Sequence, residues 1–409
     1  TSTCKITQKN RAFLPSPACG RGARGEGLGL DILKVTPGMD RIVDRFCPQN
    51  SEGRIYKGRT RRWEDFMQIF DRYLDLLEWM DGKGLPSRVL GCAPDGSPIV
   101  CIQSGGEKGP AIFISAGSHS TEQAGVGAVA ALLETLETDH PVYVIPTRDP
   151  MGMNGFPYVL GLSLGKEPDL HSEEDLEGLL REHGEVLYEE EDILLTLIGE
   201  YGYATRGLYG RFEKGAAFLE PLIGRRIFFP SLSDGIEGTA PFQRAYTLIV
   251  SPEGEVLHIN RFHDTSWAPV ESRCTRDLMA DIQPGLTLDL HEYGGNAFWF
   301  SARHQQSEED EMWEQRMADA MIQAVAKSGA ALEEGRPGSF FEATESGVFW
   351  LIAQERGEGL NLADFAASEY GPAFTIETGM QNGYQDRVNT SVLAAQTAID
   401  VFEQRYAQR

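Results

Sequence analysis

From residue 61 onward, apolar positions fall into two rhythms, one helical and one strand-like. Trp63, Phe66, Met67, Phe70, Tyr73, Leu74, Leu77 and Met80 recur at helical spacing and predict an amphipathic helix that ends before Gly82 and Pro86. Two short strand-like runs follow, SRVLG and SPIVCIQ, and the APDG between them predicts a hairpin. AIFISA at 111–116 is a continuous apolar run, as expected of a strand buried on both faces. Residues 121–137 read as a helix and VYVIP at 142–146 as a second buried strand. That strand–helix–strand order predicts an α/β layer fold.

The rhythm breaks over about 155–240, where EPDLHSEEDLEGLLREHGEVLYEEEDILL is strongly acidic. This block is expected to be an insertion, a lid or rim on the main sheet. Order resumes with YTLIV at 246–250, EVLHI at 255–259, LTLDLH at 286–291 and NAFWFS at 296–301. A helix is predicted at about 306–328, a strand at AFTIET (373–378), and a closing helix from about Gln385 to Tyr406. No run approaches the roughly 18 apolar residues of a spanning helix, so no membrane partner is expected.

Charge changes the picture at the N-terminus. Residues 1–60 carry 11 Lys/Arg against 5 Asp/Glu, include the run PSPACGRGARGEG, and have no periodic apolar pattern. A mostly disordered basic arm is expected there, with the folded catalytic domain at 61–409. The arm has no apolar h-region of a secretory signal, and the chain begins with Thr1. Over the whole chain 61 acidic residues face 37 basic ones, a net −24 that repels phosphate backbones and excludes a general nucleic-acid binder. The six cysteines, Cys4, Cys19, Cys47, Cys92, Cys101 and Cys274, form no CxxC pair. They are expected as thiols, which favours a cytoplasmic location.

Four segments carry candidate chemistry. In SAGSHSTEQAG, His119 and Glu122 stand three apart, a spacing that lets an imidazole and a carboxylate meet on one Zn²⁺. With 8 His and 61 acidic residues, about one such match is expected by chance, and a second exists at His171 and Glu174. His119 follows a buried strand and a small-residue turn, where parallel-sheet enzymes place catalytic groups, whereas His171 lies in the acidic block. In LTLDLHEYGG, His291 at a strand end offers a third ligand, with Asp289 as its supporting carboxylate. In AFTIETGM, Glu377 places a carboxylate in an apolar strand, where it needs a partner or a chemical role. In HINRFHD, Asn260 and Arg261 form an amide–guanidinium pair suited to clamping a carboxylate.

In this order, and with the TRDPMG that follows the second buried strand, the segments over 61–409 resemble the zinc carboxypeptidase (metallocarboxypeptidase) family. The resemblance implies a mixed, mostly parallel sheet of about eight strands flanked by helices. It implies one Zn²⁺ per chain on His119, Glu122 and His291, with Glu377 as the general base acting on water at the metal. Asn260 and Arg261 would hold the free carboxylate of a peptide or a small acylated amino acid. A carbonyl-polarising arginine is also implied. Arg244, seventeen positions before Arg261, is the expected candidate beside Arg148, Arg206 and Arg211.

The chain departs from the family pattern in several places. Ser120 and Thr121 stand where digestive-type members carry an arginine, and His258 stands where many have an aspartate behind a zinc ligand. No tyrosine occurs at 344–369, leaving Tyr370 as a distant substitute for the family's mobile phenol. The related desuccinylase/aspartoacylase branch shares the metal triad. Its usual β-rich domain beyond the glutamate is expected to be missing, because only 32 residues follow Glu377 and they read as one helix. A metal-free binding module on the same fold is the alternative from another class.

Overall fold

The computed structural model describes residues 68–190, 192–231, 240–305, 307–335, 341–352 and 359–407. The basic arm expected at 1–60 and the predicted helical start at 63–67 lie outside the described residues. Helix α1 (Tyr73–Lys83) begins where Asp75 accepts a hydrogen bond from the Arg72 backbone, and it buries Tyr73, Leu76, Leu77 and Met80. It ends on Gly84, whose φ of 62° is the left-handed conformation that closes helices. Strands β1 (Ser87–Cys92) and β2 (Pro98–Gly105) form the expected hairpin. Strand β3 (Ile112–Ala116), helix α2 (Gln123–Thr135) and strand β4 (Pro141–Ile145) then make a parallel crossover.

Helix α3 (Pro150–Met153) precedes the acidic block, which contains α4 (Phe156–Leu164), α5 (Glu173–His183), β5 (Glu185–Glu190), β6 (Ile193–Ile198), β7 (Tyr201–Ala204) and β8 (Arg226–Pro230). Its strands do not end at the expected boundary near 240. β8 pairs with β9 (Ala245–Val250), and β9 with β10 (Val256–His258), in a six-stranded sheet of order β10-β9-β8-β7-β6-β5. The block and the segment carrying His258 are therefore one sheet.

The remaining elements are α6 (Val270–Ile282), β11 (Leu286–Tyr293), β12 (Phe298–Ala302), α7 (Glu308–Ser328), β13 (Phe341–Glu345), β14 (Val348–Leu351), α8 (Leu362–Glu369), β15 (Ala373–Gly379) and α9 (Tyr384–Ala407). The main sheet is mixed and flanked by helices, in the order β1-β2-β4-β3-β11-β15-β12-β14-β13. It has nine strands among the described residues, where about eight were expected. Strands β4, β3, β11 and β15 form a parallel centre, and antiparallel pairs close both edges.

Both faces of that centre are covered, as parallel strands require. Ile112, Ile114, Leu286, Leu288, Leu290, Phe374 and Ile376 pack with α1, α2, α7 and α9. Phe113, Ile145 and Ala373 face Leu278 and Met279 of α6 and Leu362, Ala363 and Ala366 of α8. Each buried Leu or Ile in this core contributes roughly 1.5–3 kcal/mol. Strand alternation puts Asp289 and His291 opposite Leu288 and Leu290, and Glu377 opposite Ile376. The polar residues thus meet on one face, at the C-terminal ends of parallel strands. Among the described residues no helix is long and apolar enough to cross a membrane. Cys92, Cys101 and Cys274 are thiols, as expected.

Candidate metal centre

The turn after β3 places the first two donors. Gly117 has φ +57°, and a Cβ there would lie 2.5 Å from Thr147 Oγ1, so a side chain is strained and crowded at this position. The chain reverses over 117–122, and Glu122 stands at the N-cap of α2. Its carboxylate reaches back to His119, with Oε1 2.5 Å from Nδ1. From β11, His291 brings its own Nδ1 to 2.8 Å from Glu122 Oε2. One donor atom from each of His119, Glu122 and His291 lies within 4.8 Å of the others.

These residues could hold a metal ion. Glu122 Oε2 is buried and, despite the nearby ring, has no aligned hydrogen-bond partner. A buried carboxylate oxygen left in this way is costly unless a cation takes it. Two imidazoles and one carboxylate also make a donor set that suits zinc and leaves a position open.

Contacts behind the rings orient them. His119 Nε2 lies 2.8 Å from His258 Nδ1, and His291 Nε2 lies 2.8 Å from Asp289 Oδ2. Were both rings to donate from Nε2, both Nδ1 lone pairs would be left to face a metal. Burial drives His258 well below its usual range, with Arg261 and His119 reinforcing this, which keeps its ring neutral and able to accept. Asp289 is locked in turn by Arg148, whose Nη2 donates to its two oxygens at 3.0 and 2.8 Å. Burial alone would push the Asp289 carboxyl up, but Arg148 and His291 beside it hold it below the usual carboxylate range.

Glu377 pairs in register with His291 on the neighbouring strand. Its Oε2 is sealed from water with no hydrogen-bond partner. Burial pushes its carboxyl well above the usual range; Glu122 and Asp289 add to that, while His291 opposes it. On the other side of the site, Tyr246 of β9 stacks on His119 at 5.0 Å between centroids and 15° between planes. Phe229 of β8 stacks on Tyr246 at 4.9 Å. Arg261 sits beside this group, its guanidinium 5.9 Å from the Tyr209 ring and its Nη1 donating to the Asn260 carbonyl. Its charge helps to lower the pKa of both His119 and His258.

The structure revises two sequence-based expectations. Asn260 does not face outward with Arg261 as a clamp. Its Oδ1 accepts from Arg148 and from the Leu362 backbone, and its Nδ2 lies 3.4 Å from Asp289 Oδ2 and 3.3 Å from His291 Nε2. It belongs to the network behind His291. Arg244 is not brought to the cluster either. It is buried, and its guanidinium donates to the backbone carbonyls of Phe70, Asp71 and Gln243, so it ties β9 to the segment before α1.

The other expected arginines are also committed elsewhere. Arg148 lies behind His291, while Arg206 and Arg211 pair with Glu173 and Asp192. His171 is exposed and pairs with Asp169, so the second His-x-x-Glu match forms no site with Glu174. Tyr370 packs against Phe365. Tyr246 and the supporting role of Arg148 were not read from sequence. The cue for Arg148 was present, a charged residue two positions after the apolar run VYVIP.

No protein-family model and no curated protein matches this chain. Solved metallo-carboxypeptidase structures are similar to it in fold. Carboxypeptidase A from Helicoverpa armigera is 13% identical with a TM-score of 0.42, the match covering 83% of this chain and 74% of that one. A metallo-carboxypeptidase from Pseudomonas aeruginosa is 13% identical with a TM-score of 0.44, covering 81% and 68%. Bovine thrombin-activatable fibrinolysis inhibitor is 12% identical with a TM-score of 0.43, covering 83% and 99%.

Proposed function

We propose that this chain is a zinc-dependent hydrolase that releases the C-terminal amino acid from a peptide. The observation that carries the reading is the convergence of His119, Glu122 and His291 on one volume, beside Glu377 on the adjacent strand. When bound there, one zinc ion would supply Lewis acidity, lowering the pKa of water and polarising a carbonyl. The protein's own groups do the rest.

Glu377 takes a proton from water as the water oxygen bonds to the scissile carbonyl carbon. The C–N bond then breaks, and the same carboxyl returns the proton to the leaving nitrogen. The products are a carboxylic acid and an amine. A carboxyl whose burial raises its proton affinity is suited to holding that proton between the two steps. Arg261 binds the terminal carboxylate through its guanidinium fork, since Asn260 is engaged behind His291. Asp289 and Arg148 keep His291 in the tautomer whose Nδ1 can bind metal.

The test is a screen of purified, zinc-loaded protein against peptides with varied C-terminal residues alongside N-acyl amino acids. Release of C-terminal amino acids is the expected result. Turnover of N-acyl amino acids alone would transfer the chain to the amidohydrolase branch. Turnover of neither would favour the binding module.

A further inference from the structure

The proposed reaction builds negative charge on the scissile carbonyl oxygen, and the arginines expected to meet it are occupied elsewhere. Arg244 serves backbone carbonyls, Arg148 serves Asp289 and Asn260, and Arg206 and Arg211 serve acidic residues of the insertion. Arg261 is assigned to the substrate's carboxylate. A further polar group lies against a ring of the cluster. Tyr246 stacks on the ring of His119 and is held from behind by Phe229.

The ring is therefore fixed on both faces. The residue is half-buried, and its hydroxyl forms no hydrogen bond among the described residues. Glu122, Arg261 and Glu377 lie close enough to act on it electrostatically. A phenol carries its proton at neutral pH, so the hydroxyl can donate.

We infer that the Tyr246 hydroxyl donates a hydrogen bond to the oxyanion formed when the scissile carbonyl becomes tetrahedral. This rests on the hydrolase reading above. A preorganised neutral donor fixed by stacking needs no reorganisation as charge develops, and such donors are typically worth about 10²–10³ in kcat. Phe229 and His119 act as positioning surfaces for it.

Tyr246→Phe tests the assignment, because it keeps the ring and its stacking while removing only the hydroxyl. On zinc-loaded protein, the expected result is unchanged zinc content and little change in KM. Turnover should fall by roughly 10²–10³-fold. Affinity for a tetrahedral phosphonate analogue of the peptide, measured by calorimetry, should fall by a similar factor, because the analogue carries the oxyanion. Wild-type turnover and phosphonate affinity in the variant would overturn the role of Tyr246 alone. Loss of zinc from the variant would also overturn it, by assigning the hydroxyl to the metal site. Failure of the wild type to cleave peptides or bind the phosphonate would overturn the hydrolase reading and this role with it.

Discussion

His291 and Glu377 are register partners on adjacent parallel strands, so one ladder position sets a metal-binding nitrogen beside the carboxyl proposed to move the proton. The pairing follows from two apolar strands whose alternation points both residues to the same face. A one-residue slip of either strand would send His291 or Glu377 into the packed face held by Leu290 and Ile376. The geometry of the site is therefore tied to the register of the core.

The metal centre gives the first expected outcome. Purified protein should carry about one zinc per chain. His291→Ala should empty the site, whereas His171→Ala, at an exposed position, should leave it filled. Metal analysis of the two variants checks this, and a normal zinc content in the His291 variant would remove that residue from the site.

Arg148 and Asp289 are both buried, and their 2.8 Å ion pair is the main compensation for each charge. Asp289→Ala should destabilise the fold by about 3–5 kcal/mol, because it leaves a buried guanidinium uncompensated. Asp289→Asn should cost less stability but lower zinc affinity by roughly 10–100-fold, because the acceptor behind His291 is weakened. Urea melts and chelator competition separate the two effects. Zinc affinity unchanged in the Asn variant would contradict the supporting role.

The placement of four candidate residues was legible in sequence for a physical reason. His119, Glu122, His291 and Glu377 each follow or sit in an apolar run buried enough to declare itself as a central strand. Asn260 and Arg244 misled because spacing along a chain does not say where a long or branched polar side chain turns. Arg244 reaches back to Phe70 and Asp71, more than 170 positions away in sequence. Tyr246 was hidden for a related reason: YTLIV reads as one strand, and only folding reveals that its first residue lies on His119. The edge hairpin of β13 and β14 was too short, and in β13 too exposed, to leave a period.

A pH dependence of stability follows from Glu314 of α7. Its side chain is buried, Oε1 accepts from Gln305 at 3.0 Å, and Oε2 has no partner. Burial raises its pKa well above the usual range. Since the folded state holds this proton more tightly than the unfolded chain, stability should fall as pH rises from about 4.3 through the folded pKa. The slope from this group is at most about 1.4 kcal/mol per pH unit. Glu314→Gln keeps the shape and removes the charge, so its melts should match wild type near pH 4 and exceed it at pH 8. Parallel pH profiles would contradict this.

Arg261 should act on binding. Arg261→Ala is expected to raise KM strongly, and converting the substrate's terminal carboxylate to an amide should do the same to wild type. Applied together, the two changes should cost little more than either alone, because both remove one interaction. Kinetics of the four combinations measure this directly, and additive losses would make Arg261 a surface residue with no part in recognition.

The most direct test of the account is Glu377→Gln, assayed for zinc content, peptide affinity and turnover in one preparation. The substitution keeps shape and hydrogen bonding but removes the base. The account predicts one zinc per chain, near-normal peptide affinity, and a kcat reduced by roughly 10²–10⁴-fold. A near-normal kcat would contradict the assignment of proton transfer to Glu377, and with it the proposed hydrolytic mechanism.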